Sequence, residues 1–274
     1  MVRRHETPQL LLSIVPVVTI FAAFFILPFA RLLIASFEGP LGAGAYTAIV
    51  TDPRYYSSLV STIVLAFVVT LTTLLISGFA GVFLDRNHFR GRAVVVAALT
   101  LPLAFPGVVV GFMVIMLAGR QGLIGEIAKL VSGQNLVFAY SIAGLFVGYV
   151  YFSIPRVILT VMAAAEKLDR NLEEASRSLG ASSWRVIVDV IIPGLMPALL
   201  SAGAFCFATA MGAFGTAFTL ATDINVLPMT IYTDFTQRAN IASAAAMSVV
   251  LGAITWAVLA VARTAAGNTV AAAG

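Results

Sequence analysis

Charge is scarce in this sequence: Lys, Arg, Asp and Glu make up 10% of its 274 residues and hydrophobic residues 60%, where ordinary soluble domains carry about 25% charged residues. Such a deficit excludes most soluble classes. Cysteine is nearly absent, and Cys206, standing alone in an apolar run, cannot form an internal disulfide and reads as a small packing residue. Histidine is limited to His5 and His88, each in a polar segment with no second ligand at metal-binding spacing, so no metal is expected. Three hydrolytic motifs are missing: the Gly-x4-Gly-Lys-Ser/Thr phosphate cradle, His-Glu-x2-His and Gly-x-Ser-x-Gly. The chain is therefore expected to hold no cofactor and to be no enzyme. Apart from Arg156, near the inner end of the fourth apolar run, ionisable residues avoid the interiors of these runs. Ion-coupled transporters place carboxylates or His at membrane depth, where they are costly, so a secondary transporter or channel is disfavoured. A membrane enzyme is disfavoured too, for want of a polar catalytic cluster.

What the sequence has is long apolar runs. A bilayer core about 30 Å thick takes roughly 20 apolar residues in helical form. Six runs meet this, at residues 10–37, 59–84, 93–119, 136–165, 191–220 and 241–262. They are apolar throughout, without the alternation of barrel strands, so the expected class is an all-α integral membrane protein in one domain. The first run outlasts the apolar core of a signal peptide and reads as a retained helix. Basic residues collect in alternate loops: Arg3, Arg4, Arg86, Arg90, Arg92, Arg156, Lys167, Arg170, Arg177, Arg185 and Arg263 on one side, Arg54, Arg120, Lys129 and Arg238 on the other, with Arg31 near the outer end of the first run. By the positive-inside rule both termini are expected in the cytoplasm. The net charge of +4 reflects this topology, and no nucleic-acid partner is inferred.

The longest of the basic loops, residues 166–190, reads EKLDRNLEEASRSLGASSWRVIVDV. Asn171 is expected to cap a short helix with Glu174 three residues on, and Gly180 to end it. Leu172, Ala175 and Leu179 fall on one face. Ser182 or Ser183 begins a second helix, with Trp184, Ile187, Val188 and Ile191 as an apolar stripe, before Pro193 leads into the fifth run.

Glu174-Ala175-Ser176, three residues, Gly180, nine residues, then Val190-Ile191-Ile192-Pro193 resembles the EAA signature of bacterial ABC importer permeases, Glu-Ala-Ala, x3, Gly, x9, Ile-x-Leu-Pro. Spacing is kept; Ser176, Val190 and Ile192 replace Ala, Ile and Leu. The resemblance implies a six-helix type I importer permease of the bacterial inner membrane, surrounded by lipid. It also implies two ATP-binding subunits that hold ATP and Mg, a second permease subunit, identical or homologous, and a periplasmic substrate-binding protein. Leu172, Glu174, Ala175, Ser176, Arg177, Leu179, Gly180 and Pro193 then belong to the loop that couples to the ATPase. The phrases Tyr-Phe-Ser-Ile-Pro-Arg before the signature and Leu-Pro-Met-Thr-Ile-Tyr after the fifth run look most like the polyamine branch. Related branches carry iron(III), thiamine, sulfate, molybdate or phosphonates.

Within the runs, Pro102 and Pro106 are expected to kink or unwind the third, and unwound backbone at this depth belongs in protein or along a cavity. On the fifth, Ser201, Thr209, Gly212, Thr216 and Thr219 share about 80° of arc at about 100° per residue. On the fourth, Tyr140, Gly144, Gly148, Tyr151 and Pro155 do the same. Such stripes serve helix packing or line a path, and Pro106, Tyr151, Ser201, Thr209 and Thr216 are the candidate path residues. The outer loop 221–240, with Asp223, Asp234 and Arg238, is a candidate contact for the binding protein. The small-residue tail 264–274 is expected to be mobile.

Overall fold

A computed structural model describes residues 6–220 and 224–267, with side chains from residue 14; the expected tail lies outside the described residues from 268 onward. The described residues form helices and connecting turns, with no strand among them. In order these are α1 (Glu6–Phe21), α2 (Leu27–Ala35), α3 (Gly44–Thr51), α4 (Pro53–Arg86), α5 (Arg92–Thr100), α6 (Gly107–Ala118), α7 (Leu123–Ser132), α8 (Ile142–Glu166), α9 (Arg170–Ser178), α10 (Ser183–Val186), α11 (Ile192–Met211), α12 (Gly215–Leu220), α13 (Leu227–Thr236) and α14 (Ile241–Ala265). Among the described residues six stretches are long and apolar enough to cross a membrane: Ile14–Ala35, Pro53–Arg86, Gly107–Ser132, Ile142–Glu166, Ser183–Met211 and Ile241–Ala265. Their outward surfaces carry large apolar side chains such as Phe24, Phe79 and Trp256. Water would penalise such a surface and hydrocarbon does not.

Two of the apolar runs are not single helices. The run 93–119 is α5, a 3₁₀ turn at Leu101–Ala104, an extended break at Phe105 and Pro106, and then α6. Pro106 holds the residue before it, Phe105, in the extended region, while Pro102 follows a Leu101 that is still helical and removes an N–H in the first turn of the 3₁₀ segment. The run 191–220 breaks between Met211 and Gly215, so α11 and α12 are separate and Thr216 and Thr219 do not continue the face of Ser201 and Thr209.

The chain divides into two compact units. In the unit of residues 1–56 and 230–250, α3 buries Ala45 and Ile49, and the hydroxyls of Ser36 and Tyr46 hydrogen-bond at 2.7 Å. Its polar knot is Asp234, fully buried, which accepts a hydrogen bond from Tyr55 and lies 3.2 Å from Arg54 and 3.8 Å from Arg238. Asp234 is therefore not presented to a partner, contrary to its expected role in the outer loop; Asp223 lies outside the described residues.

In the unit of residues 57–229 and 251–274, the core joins α4 (Ala66, Val69), α6 (Val114, Ala118), α8 (Leu145, Tyr149, Val157, Val161), α11 (Phe207, Met211) and α12 (Ala217, Leu220). Small residues let backbones approach closely. A Cβ on Gly148 would fall 2.9 Å from a methyl of Thr216, and one on Gly203 2.9 Å from Leu74. Polar groups at the helix breaks are satisfied inside the protein, as hydrocarbon requires. Thr216 donates to the Gly107 carbonyl at 2.9 Å, at the start of α6, and Tyr149 donates to the Ala213 carbonyl in the α11 to α12 break.

Candidate functional site

The segment 166–190 holds α9, α10 and the turns that bound them. Asp169, not Asn171, is the N-cap of α9: its backbone is extended and its carboxylate accepts the Asn171 N–H at 2.9 Å. Asn171 is already helical, because an acid two residues upstream takes the cap first. At the other end Gly180 has φ +87°, its N–H bonds the Arg177 carbonyl at 2.9 Å, and the Ala181 N–H bonds the Ser176 carbonyl at 3.1 Å. This is a Schellman ending, which needs a left-handed residue at the glycine position.

Leu172 is 57% exposed and Leu179 90% exposed. Glu174, Ala175 and Arg177 are also exposed, while Ser176 is half-buried. A nine-residue helix with little apolar backing is marginal alone, so its position must come from anchors. The anchor is ionic. Arg86, closing α4, hydrogen-bonds the Glu173 carboxylate and reaches Asp85 at 3.2 Å, with Arg170 3.8 Å from Asp85. The side chains of Arg86, Asp85 and Glu173 are largely buried. The turn from α4 toward α5 is tied by Arg92, which donates to the Leu84 carbonyl at 2.6 Å.

α10 begins at Ser182, whose hydroxyl accepts the Arg185 N–H at 3.4 Å. The expected stripe after it is split: Ile191 is buried and Ile187 partly so, whereas Trp184 is 65% exposed and Val188 exposed, and Val186, outside the expected stripe, is buried instead. A π-helical turn at Ile187–Ile191 adds a residue to the turn and rotates the faces of the residues beyond it. Pro193 lies inside the continuous helical stretch Ser183–Met211, directly after the π-helical turn at Ile187–Ile191.

The candidate path residues are dispersed. Pro106 is the extended N-cap of α6, and Tyr151 is an exposed side chain on α8. Thr216 is buried in the packing of α12 against α6. Ser201 and Thr209, by contrast, line one cavity of about 180 Å³ between α8 and α11, with Ser153, Arg156, Thr160 and Phe205. Arg156 lies fourteen residues after Ile142 and ten before Glu166, nearer the middle of α8 than its inner end. Its guanidinium carbon is 4.8 Å from the ring centroid of Phe205 and 5.9 Å from that of Phe152. By sequence Arg156 passes for a flanking charge; its isolation within an apolar run is the signal that sets it apart.

Residues 77–268 match the family described as binding-protein-dependent transport system inner membrane component. The chain is 33% identical over 189 residues to the molybdenum transport system permease protein ModB of Escherichia coli (strain K12), covering 68% of this chain and 81% of that one. It is 31% identical over 220 residues to the sulfate transport system permease protein CysT of the same strain, covering 76% of each. Among solved structures, a chain of the bacterial alginate ABC transporter in complex with an alginate pentasaccharide-bound periplasmic protein shares the fold at TM-score 0.82. That match has 16% identity over 94% of this chain and 93% of the other. With six apolar spans, the EAA-type loop and these matches together, the chain belongs to the family of binding-protein-dependent transport system inner membrane components, the multi-pass permease subunits of ABC importers.

Proposed function

We propose that this permease imports a small inorganic oxyanion, molybdate or sulfate, and that α9 is the element through which a separate ATPase drives it. The observation that carries the coupling role is an exposed apolar pair, Leu172 and Leu179, on a short helix held by an ion pair and closed by a left-handed glycine. Apolar side chains displayed on a water-facing loop at this density mark a protein contact. Glu174 and Arg177 at the rim supply charge for partner choice. The polyamine suggested by the flanking phrases has no support among the relatives above, whose names point to molybdenum and sulfate. The working unit in this reading has two permease subunits, two ATP-binding subunits carrying ATP and Mg, and a periplasmic binding protein. The loop 166–190 and both termini lie in the cytoplasm, following the distribution of Lys and Arg. The test is ATP-dependent uptake of labelled molybdate, sulfate and spermidine by the reconstituted complex with its binding protein. Uptake of an oxyanion is expected; uptake of spermidine with neither oxyanion would overturn the substrate.

A further inference from the structure

The geometry points to the Arg156 cavity as an anion-binding subsite on the translocation path, resting on the oxyanion reading above. Arg156 is partly buried on a helix that crosses the membrane, about 21 Å along α8 from its start and about 15 Å from its end at 1.5 Å per residue. A permanently charged guanidinium at that depth is costly and marks a functional position by default. Among the described residues no carboxylate pairs with it, and its contacts given by the structure are the faces of Phe152 and Phe205. Stacking on aromatic faces leaves the N–H edges of the guanidinium uncommitted, and those edges match the spacing of oxygens on a tetrahedral oxyanion.

The rest of the lining suits the same ligand. The Ser153 hydroxyl has no hydrogen bond to another described residue. Thr160, Ser201 and Thr209 donate to carbonyls on their own helices, at 2.9 Å for Thr160 to Arg156, 2.9 Å for Ser201 to Pro197 and 3.0 Å for Thr209 to Phe205. Hydroxyls resting on local carbonyls can turn outward to an arriving anion. The cavity, about 180 Å³, holds several times the roughly 30 Å³ share of one water. It is smaller than the roughly 300 Å³ and upward of pockets for drug-sized molecules. Size and sign thus select a compact anion and disfavour a polyamine, which the guanidinium repels. A subsite with one cation and neutral donors also binds weakly enough to release its ion, as a path requires.

The experiment uses the complete complex in proteoliposomes with its binding protein, comparing wild type with Arg156→Gln, Arg156→Lys and Ser153→Ala. Three quantities are read: co-purification of the ATPase, ATP hydrolysis stimulated by the binding protein, and uptake of labelled molybdate and sulfate. Arg156→Gln is expected to assemble and hydrolyse ATP as wild type does while uptake falls about tenfold or more. Arg156→Lys, with the charge and without the fork, falls in between, and Ser153→Ala gives a smaller loss. Wild-type uptake by Arg156→Gln overturns the subsite and leaves the oxyanion reading standing. Parallel loss of assembly, hydrolysis and uptake in Arg156→Gln and Arg156→Lys alike overturns it in favour of a packing role. Failure of the wild-type complex to move either oxyanion overturns the substrate reading, and the subsite with it.

Discussion

Glu173 and Glu174 are adjacent acids in opposite surroundings, and the difference is set by the 100° between successive helical positions. Glu173 turns inward to Arg86, and Glu174 turns outward to solvent. Removing Glu173 takes one charge-assisted hydrogen bond from a largely buried network in which Arg86 keeps Asp85 at 3.2 Å, a loss of about 1.5–3 kcal/mol. Glu173→Ala is therefore expected to lower the thermal midpoint of the detergent-solubilised chain and expose the loop to protease before any partner is added. Glu174→Lys should leave both unchanged and instead weaken co-purification of the ATPase; unchanged co-purification would remove Glu174 from the docking surface. At Gly180 a side chain meets open space but a φ of +87°, so Gly180→Val costs about 1 kcal/mol or more in backbone strain alone. It is expected to act through the direction of the chain leaving α9. Gly180 was legible in the sequence because its signal is local: a stop residue at the end of a short helix. Arg86 and Glu173 were not, because the residues that meet stand 87 positions apart and each alone looks like a solvated charge.

Among the elements, breaks made by proline were legible and the break made without one was not. Pro102 and Pro106 announce the interruption before α6 by their chemistry. The gap between α11 and α12 falls at Gly212, Ala213 and Phe214, in a stretch as apolar as its flanks, so a periodicity count runs straight through it and assigns Thr216 to the wrong face. What holds this break is tertiary: the Tyr149 hydroxyl on the Ala213 carbonyl and the Thr216 hydroxyl on the Gly107 carbonyl. Tyr149 is buried, so Tyr149→Phe removes the hydrogen bond while keeping the ring. A loss of about 1 kcal/mol is expected, seen as a fall of a few degrees in the thermal midpoint. An unchanged midpoint would mean that the Ala213 carbonyl finds another donor at no cost.

At the scale of the whole molecule the governing facts are the number of crossings and the side on which charge collects. Length and apolarity gave six spans because hydrocarbon thickness is a property of the bilayer and needs no tertiary information. The structure supplies six helical stretches of that kind, with ends moved by several residues where caps and prolines intervene, as at Ser141 before α8. Orientation rests on the loops alone. Between Ser178 on α9 and Gln237, just past α13, the chain makes one crossing, through Ser183–Met211, so the two must emerge on opposite sides if that span is inserted. Both are exposed, and Cys206 is buried, so an added cysteine is read against a low background. In intact cells a membrane-impermeant maleimide is expected to label Gln237→Cys and to leave Ser178→Cys unlabelled until the membrane is permeabilised. Labelling of both from outside would break the fifth span. The reversed pattern would place α9, with Leu172 and Leu179, on the side that has no ATP, and the coupling role proposed for it would fall.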